Sequence, residues 1–165
     1  MCYRFLIGEG VTIMKQIAAT AAAFGLVAAL ATPVLAQDMS ANIKARQGQF
    51  RILALNLGVL GGMAKGELTY DAAGAQAAAD SIVGVSMVHQ PTLFVEGTDD
   101  MSVEGTRALP VIWENPDDFA AKWAALGEAA KGMQAAAGTS AEAIGAAMGP
   151  LGGACKSCHE TYRTP

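Results

Sequence analysis

Two cysteines and a histidine near the C-terminus, Cys155, Cys158 and His159, have the spacing that most directly predicts chemistry. The pattern C-x-x-C-H is the signature of c-type haem attachment, in which two thiols add to the vinyl groups of one porphyrin and the histidine binds the iron. Positions three and four apart lie on the same face of a helix, so both thiols and the imidazole point to one side. The motif therefore predicts one covalently attached haem c, with His159 as an iron ligand.

The same pair of cysteines is open to two other interpretations, a redox-active dithiol and part of a zinc site. A structural zinc ion usually takes four cysteine or histidine ligands. The only other residues of these types in the chain are Cys2 and His89. This shortage of ligands favours haem over zinc.

The first 36 residues have the pattern of a bacterial secretory signal. A basic residue follows Met14, an apolar alanine-rich stretch covers 17–30, and small residues at Val34 and Ala36 predict cleavage after Ala36. Residues 1–13 precede this more typical start. A transmembrane anchor is the alternative, but the apolar run is short compared with the ~20 residues that span a bilayer. We therefore predict a signal peptide at 1–36 and a periplasmic domain at 37–165.

The composition of that domain excludes some classes of partner. Residues 37–165 contain nine basic and fourteen acidic side chains, a formal net charge of −5. No basic patch with interleaved aromatic residues is visible, which argues against nucleic acid. Both cysteines of this region belong to the haem motif, so no structural disulfide is expected.

Apolar residues recur at helical spacing and predict four helices, at about 40–63, 71–89, 116–138 and 140–162. A stretch rich in proline and glycine at 90–113 forms a long crossover between the first two predicted helices and the last two. The resulting fold is an all-α, antiparallel four-helix bundle with one long crossover and its haem near the C-terminal end.

Local signals predict where these helices begin, end and bend. Ser40, Asp71, Asn115 and Ser140 are the expected N-caps. Glycines at 61, 62 and 66 are expected to end the first helix, and Gly149-Pro150 to kink the fourth.

Two polar residues fall on otherwise apolar helix faces. Arg46 lies four residues before Phe50, and His89 lies four residues after Val85. Arg46 could be an inward-facing charge or a surface arginine whose aliphatic stem covers the apolar face, and its spacing leaves both open. His89 could be a second axial ligand or an ordinary residue at a helix end, where the dipole favours its cation. A methionine is the other possible sixth ligand, and it would have to lie upstream of His159. The candidates are Met39, Met63, Met87, Met101, Met133 and Met148.

The chain from 37 to 165 resembles the cytochrome c prime (c') family of class II c-type cytochromes, which are four-helix bundles with a C-terminal attachment motif. The matching stretches are Arg46-Gln47, Lys65-Gly66, Tyr70 to Ala73, Ile112-Trp113 and Cys155 to Arg163. The segment 86–100 follows the family pattern less closely.

The resemblance implies roles for four further residues. Arg46, with Gln47 beside it, would lie at a haem propionate, and Arg163 would stand beside the proximal face of the haem. Low-spin relatives carry an iron-binding methionine four residues after the first-helix arginine, where this chain has Phe50. An aromatic ring cannot bind iron, so the resemblance implies a five-coordinate, high-spin haem behind an apolar gate.

The expected function is that of a periplasmic haem protein that binds nitric oxide and carbon monoxide, exchanges electrons with small redox proteins, or does both. The alternative is a low-spin, six-coordinate electron carrier that uses a methionine or His89. We do not expect an enzyme such as a peroxidase, because no distal histidine–arginine pair is evident beside Phe50. The resemblance also implies a homodimer formed through the first two helices.

Overall fold

Four long helices carry the fold, and short caps and turns set their bounds. The computed structural model describes residues 35–165, with side chains described from Met39 onward. The long helices are α1 (Leu35–Ala64), α2 (Ala72–Ser86), α4 (Pro116–Ala137) and α5 (Ala141–Tyr162). A 3-10 turn at Gln90–Thr92 and the short helix α3 (Val111–Glu114) lie in the crossover between α2 and α4. The predicted signal segment falls almost entirely outside the described residues.

Two of the predicted N-caps are confirmed by side-chain hydrogen bonds. The carboxylate of Asp71 accepts from the backbone N–H of Gly74 at 2.9 Å. The hydroxyl of Ser140 accepts from the N–H of Ala143 at 3.2 Å. Asn115 is the N-cap of α4 but makes no capping bond through its side chain. Pro116, which needs no N–H donor in the first turn, still fixes the start of that helix.

The end of the first helix was only partly predicted. Gly61 and Gly62 lie inside α1, and the chain leaves the helix at Gly66, whose φ of 73° is a left-handed conformation that glycine adopts without a Cβ penalty. A Cβ on Gly62 would lie 2.9 Å from side-chain carbons of Leu68. Gly62 is therefore required for close packing of the following turn and does not stop the helix.

Two expectations about the bounds of the helices were wrong. Helix α1 begins at Leu35, so Ser40 lies within it and is not its N-cap. Helix α2 ends at Ser86, so His89 lies beyond it and not on its apolar face. The fourth long helix, α5, is continuous through Pro150, so Gly149-Pro150 does not interrupt it, and a kink there stays a prediction. Proline frees the carbonyl four residues earlier, and that residue, Ala146, is exposed, so the carbonyl is free to bond to water.

One continuous core joins all four long helices. Leu60 of α1, Ile82 of α2, Met133 of α4 and Leu151 of α5 are fully buried together in it. The predicted all-α, antiparallel four-helix bundle is confirmed, with the long crossover between α2 and α4. No helix within residues 35–165 is long and apolar enough to cross a membrane.

Backbone hydrogen bonds attach the crossover to the C-terminal end of α5. Ala108 pairs with Arg163 in an isolated antiparallel bridge. The N–H of Leu109 donates to the carbonyl of Tyr162, and the N–H of Thr164 donates to that of Arg107, both at 3.0 Å. The bridge therefore holds the crossover beside the residues of the C-x-x-C-H motif.

Candidate haem site

A cavity of about 530 Å³ lies between α1, the crossover and the end of α5. Such a volume is within the range of pockets that hold cofactors, roughly 300–1,000 Å³. Its apolar wall contains the ring of Phe119, which packs edge-on against the rings of Phe94 and Tyr162. The distances between ring centroids are 4.8 and 5.2 Å. Six of the seven predicted site residues line it: Arg46, Gln47, Phe50, Cys158, His159 and Arg163.

The attachment residues stand on successive turns of α5. Cys158 lines the cavity, whereas Cys155 lies half-buried against the main core. Both thiols are free. Burial raises the pKa of each thiol, because the thiolate is less well solvated there. The two cysteines are thus held as neutral thiols at adjoining positions near the cavity.

The environment of His159 favours a neutral imidazole. Partial burial lowers the pKa of His159, and the positive charges of Arg163 and Arg107 lower it further. A metal ion binds the neutral form of histidine. His159 is therefore disposed to act as an iron ligand.

Phe50 and His159 lie close together at the same cavity. Their ring centroids are 6.4 Å apart, with the planes inclined at 66°. The Phe50 ring is supported from the side by Trp123, edge-on at 6.2 Å. Thus the residue next to the imidazole offers a hydrocarbon ring and no donor atom.

Arg46, whose place on the apolar face of α1 left burial and surface exposure both open, is buried in the cavity lining. Its side chain is 3% exposed and donates to the Thr98 hydroxyl at 3.0 Å, the Thr98 carbonyl at 2.8 Å and the Thr106 hydroxyl at 2.5 Å. The guanidinium carbon also lies 4.7 Å above the Phe94 ring. Burial lowers the pKa of Arg46, and no carboxylate of the described residues forms a salt bridge with it. A buried cation with neutral partners fits a site for an anionic group such as a haem propionate.

Gln47 and Arg163 lie at the mouth of the cavity. The Gln47 amide donates to the carbonyl of Gly105 at 2.8 Å, which joins α1 to the crossover. Arg163 is exposed just past α5 and is held in place by the bridge to Ala108. Both residues are therefore positioned by contacts between the crossover and a helix.

The other candidate axial ligands are not brought to this cavity. His89 is exposed at the start of the 3-10 turn and lines a separate cavity of about 460 Å³. None of the six methionines lines the haem cavity. Met63 and Met133 belong to the main core, and Met148 packs against it. Met87 and Met101 are 74% and 84% exposed, and the Met39 methyl lies 3.7 Å from the Cβ position of Gly97.

Sequence reasoning missed several residues of the cavity lining. Tyr162 lies nearly one helical turn after His159, and this spacing could have predicted that Tyr162 also lines the cavity. Its hydroxyl donates to Asp118 at 2.6 Å. Burial, followed by this hydrogen bond and the charge of Asp118, raises the pKa of Tyr162 to about 12. Arg107 and Phe94 had no comparable signal, because crossover contacts bring them to the site.

The chemistry of the donor set fits haem and not a bare metal ion. Within the described part of the chain, no group of three or more histidine, cysteine and acidic residues could hold a metal ion. Two thiols and one imidazole on the last helix of a bundle, beside a largely apolar cavity, instead define a c-type haem protein of the four-helix-bundle class.

Comparisons with known proteins give the family within this class. Residues 41–163 match the family Cytochrome C'. The chain is 48% identical to cytochrome c-554 of Cereibacter sphaeroides over 153 residues, or 91% of this chain and 98% of that protein. It is 41% identical to cytochrome c' of the same organism over 138 residues, or 84% of this chain and 93% of that one.

Solved structures agree with these matches. A Rhodobacter cytochrome c' superposes with a TM-score of 0.73 and 40% identity, over 76% of this chain and 97% of its own. Another cytochrome c', described as having ligand-controlled dimer dissociation, gives a TM-score of 0.70 and 32% identity over 77% and 97% of the two chains. The chain belongs to the cytochrome c' family, and Cys155 and Cys158 are the pair that attaches its haem c.

Proposed function

We propose that this chain is a periplasmic haem protein with a five-coordinate, high-spin iron. It binds small neutral gases, nitric oxide and carbon monoxide, and exchanges electrons. The observation that carries the proposal is the pairing of Phe50 with His159 at one cavity, 6.4 Å apart, in a lining without a methionine or a second histidine. His159 is the proximal ligand, and Phe50 covers the position that a sixth ligand would take.

The apolar surroundings of Phe50 determine which ligands bind. Phe50 packs against Trp123, and Phe119 and Ile112 complete an apolar wall of the cavity. An anion that entered this space would lose its hydration without gaining a hydrogen bond at the iron. Burial of such an unpaired charge costs on the order of several kcal/mol. A neutral diatomic molecule has little hydration to lose. The iron therefore prefers neutral gases to anions.

We propose binding and electron exchange, and not catalysis. Cleavage of a peroxide bond needs a positioned acid–base group on the distal side. The one histidine in the cavity lining is His159, which the attachment motif assigns to the iron. Haem supplies the redox and gas-binding chemistry, and the chain supplies its orientation and its apolar cover.

An optical spectrum of the purified holoprotein tests this proposal. We expect a high-spin spectrum in the oxidised and the reduced state, and binding of carbon monoxide and nitric oxide to the reduced iron. A low-spin spectrum in both oxidation states would contradict the vacant sixth position. That result would instead identify a six-coordinate electron carrier, the alternative function.

We also propose export by residues 1–36 and assembly into a homodimer. N-terminal sequencing of protein from a periplasmic extract should begin at Gln37. The proposal of a dimer is supported by an apolar stripe on α1, where Ala45, Gly48, Ile52 and Leu55 recur at a 3-4-3 spacing. Ile52 is 48% exposed and Leu55 is 70% exposed. A second copy that packs on this stripe would remove both side chains from water.

A further inference from the structure

All four arginines of residues 37–165 line the haem cavity. Arg46 is buried, whereas Arg51, Arg107 and Arg163 are exposed at its mouth. We call these three exposed residues the arginine rim. None of the four forms a salt bridge within the described residues. This concentration of positive charge occurs in a region whose formal net charge is −5.

The lysines of the same region are used differently. The three ion pairs of the described residues all involve lysine, at Lys122, Lys131 and Lys156. These pairs join side chains three or four residues apart on the helix surfaces, and such exposed pairs contribute little to stability. Three of the five lysines are therefore paired on helix surfaces, whereas all four arginines lie around one opening without an ion pair to another described residue.

The arginine rim is built from three separate elements. Arg51 belongs to α1, Arg107 to the crossover, and Arg163 follows the end of α5. The backbone bridge between Ala108 and Arg163 holds the last two elements side by side. Arg107 is fixed further by a hydrogen bond of 2.7 Å to the carbonyl of Thr164.

Carboxylates of the surrounding segments leave most of this charge uncompensated. Asp99 accepts hydrogen bonds from the backbone N–H groups of Met101 and Ser102 and from the Ser102 hydroxyl, and Glu160 pairs with Lys156. Asp118 accepts from Tyr162 and pairs with Lys122. Glu104 is exposed beside Gly105 of the cavity lining. Of these four carboxylates, Glu104 alone has no hydrogen-bond or ion-pair partner among the described residues.

A haem bound in the cavity would not neutralise all of the positive charge of the arginine rim either. Haem carries two propionate carboxylates, and buried Arg46 is already disposed to receive one of them. The second propionate and Glu104 can balance two of the three rim arginines, so at least one positive charge stays unbalanced at the opening.

We propose that the arginine rim is the docking surface for an acidic redox protein, which exchanges electrons with the haem through this opening. This inference rests on the electron exchange proposed above. Three exposed charges on three elements match an extended acidic surface better than a small anion, which would need convergent buried donors. Complementary charge at the rim would act mainly on the association rate, and salt would screen it.

Stopped-flow reduction of the oxidised holoprotein tests the docking surface. The probe is a reduced, acidic ferredoxin of the plant type at low ionic strength. The variant Arg51→Gln/Arg107→Gln should lower the second-order rate constant about tenfold and flatten its dependence on salt. Arg51→Gln alone, which removes no hydrogen bond to another described residue, should lower this rate constant about threefold on the same basis. The optical spectrum and the midpoint potential are recorded for each protein, so that a change at the haem is not mistaken for a change in docking.

Lys65→Gln is the matched control. Lys65 is exposed just beyond the C-terminal end of α1, about 20 Å along the helix from Arg51 at a rise of ~1.5 Å per residue. The Lys65→Gln variant removes one positive charge, as Arg51→Gln does, and should leave the rate constant unchanged. A fall equal to that of the rim variants would overturn the assignment to this surface.

Other outcomes separate docking from the proposed electron exchange. If dithionite reduces every protein normally but the ferredoxin rate is the same in wild type and rim variants, docking at the rim is overturned and electron exchange stands. A haem that dithionite cannot reduce would overturn both. Saturable inhibition of the wild type by inorganic phosphate at constant ionic strength would identify a small-anion site and overturn docking of a protein.

Discussion

Phe50 and His159 are the two residues whose chemistry would set the reactivity of the iron in the proposed function. His159 follows the second attachment cysteine directly, so its position relative to the haem is set by the motif. Phe50 comes from α1, over a hundred residues earlier, and lies 6.4 Å from the imidazole. Since one ring can donate to iron and the other cannot, the proposed five-coordinate state depends on a contact between distant segments.

Replacing Phe50 by methionine should convert the haem from high spin to low spin. A thioether at position 50 would supply the missing donor on the side of the cavity where the Phe50 ring lies. The ratio of high-spin to low-spin absorption bands measures the change, and carbon monoxide binding should slow. Leu53→Met, in the main core one turn further along α1, is the control and should keep the high-spin spectrum. A Phe50→Met protein that stays fully high-spin would show that position 50 does not face the iron.

Tyr162 gives a second expectation at the scale of single residues. Its pKa is raised to about 12, mainly by burial and then by Asp118, whereas an unfolded tyrosine titrates near ~10. Above pH ~10 the unfolded chain loses this proton first, so the free energy of unfolding should fall between pH ~10 and about 12. Below pH ~10 the contribution of Tyr162 is fully present.

Urea titrations from pH 8 to 12 check this dependence by comparison with Tyr162→Phe. The variant should lose stability less steeply above pH ~10 than the wild type. Tyr70→Phe removes a hydrogen bond of 3.1 Å to the Ala137 carbonyl but keeps Tyr162 with Asp118. It should therefore retain the wild-type slope. Equal slopes for wild type and Tyr162→Phe would remove Tyr162 as the cause.

At the scale of elements, the crossover supplies six of the fifteen residues that line the haem cavity, although it has no long helix of its own. Arg46 of α1 fastens it through Thr98 and Thr106, and the bridge at Ala108 fastens it to α5. Gln49 and Gln90 form a further buried pair of amides, with bonds of 2.8 and 3.2 Å. An irregular segment is held in one conformation because polar groups of the helices satisfy its backbone and hydroxyl groups.

Thr98→Val should destabilise the protein by about 2 kcal/mol, because it removes a hydrogen bond to a buried guanidinium. Urea unfolding measures the loss, and hydrogen exchange should show faster opening of 97–106 than of the helices. Thr92→Val is the control, since Thr92 is exposed and its hydroxyl bonds only to the His89 carbonyl. Its cost should be under about 0.5 kcal/mol. Equal losses in the two variants would mean that Arg46 does not hold the crossover through Thr98.

At the scale of the whole molecule, the apolar stripe of α1 faces away from the core. The same helix buries Leu53 and Leu60 on its inner side, so its outer side chains Ile52 and Leu55 have no partner within the bundle core. A helix that is apolar on both sides is best accounted for by a second buried surface, which the proposed homodimer would supply.

Leu55→Glu should convert the dimer into a monomer, because it would bury a carboxylate next to its symmetry mate. Sedimentation velocity measures the change in mass. Met101→Glu is the matched control, since Met101 is the more exposed apolar residue at 84% and lies in the crossover. It should leave the mass unchanged. A wild-type protein that sediments as a monomer at high micromolar concentration would contradict the proposed dimer.

Much of this protein follows from local sequence patterns. The C-x-x-C-H motif at 155–159 predicted the haem, and helical periodicity with caps at Asp71 and Ser140 predicted the bundle. These features depend on residues within one or two turns of each other, so their spacing along the chain is sufficient to recognise them.

The tertiary structure decided what stands around the haem position. It brought Phe50 next to His159, moved His89 away from the cavity, and assembled the arginine rim from α1, the crossover and the end of α5. Helical periodicity in the sequence predicts none of these outcomes. They depend on how an irregular crossover is anchored by long-range hydrogen bonds, and such contacts join residues more than fifty positions apart, such as Arg46 and Thr98.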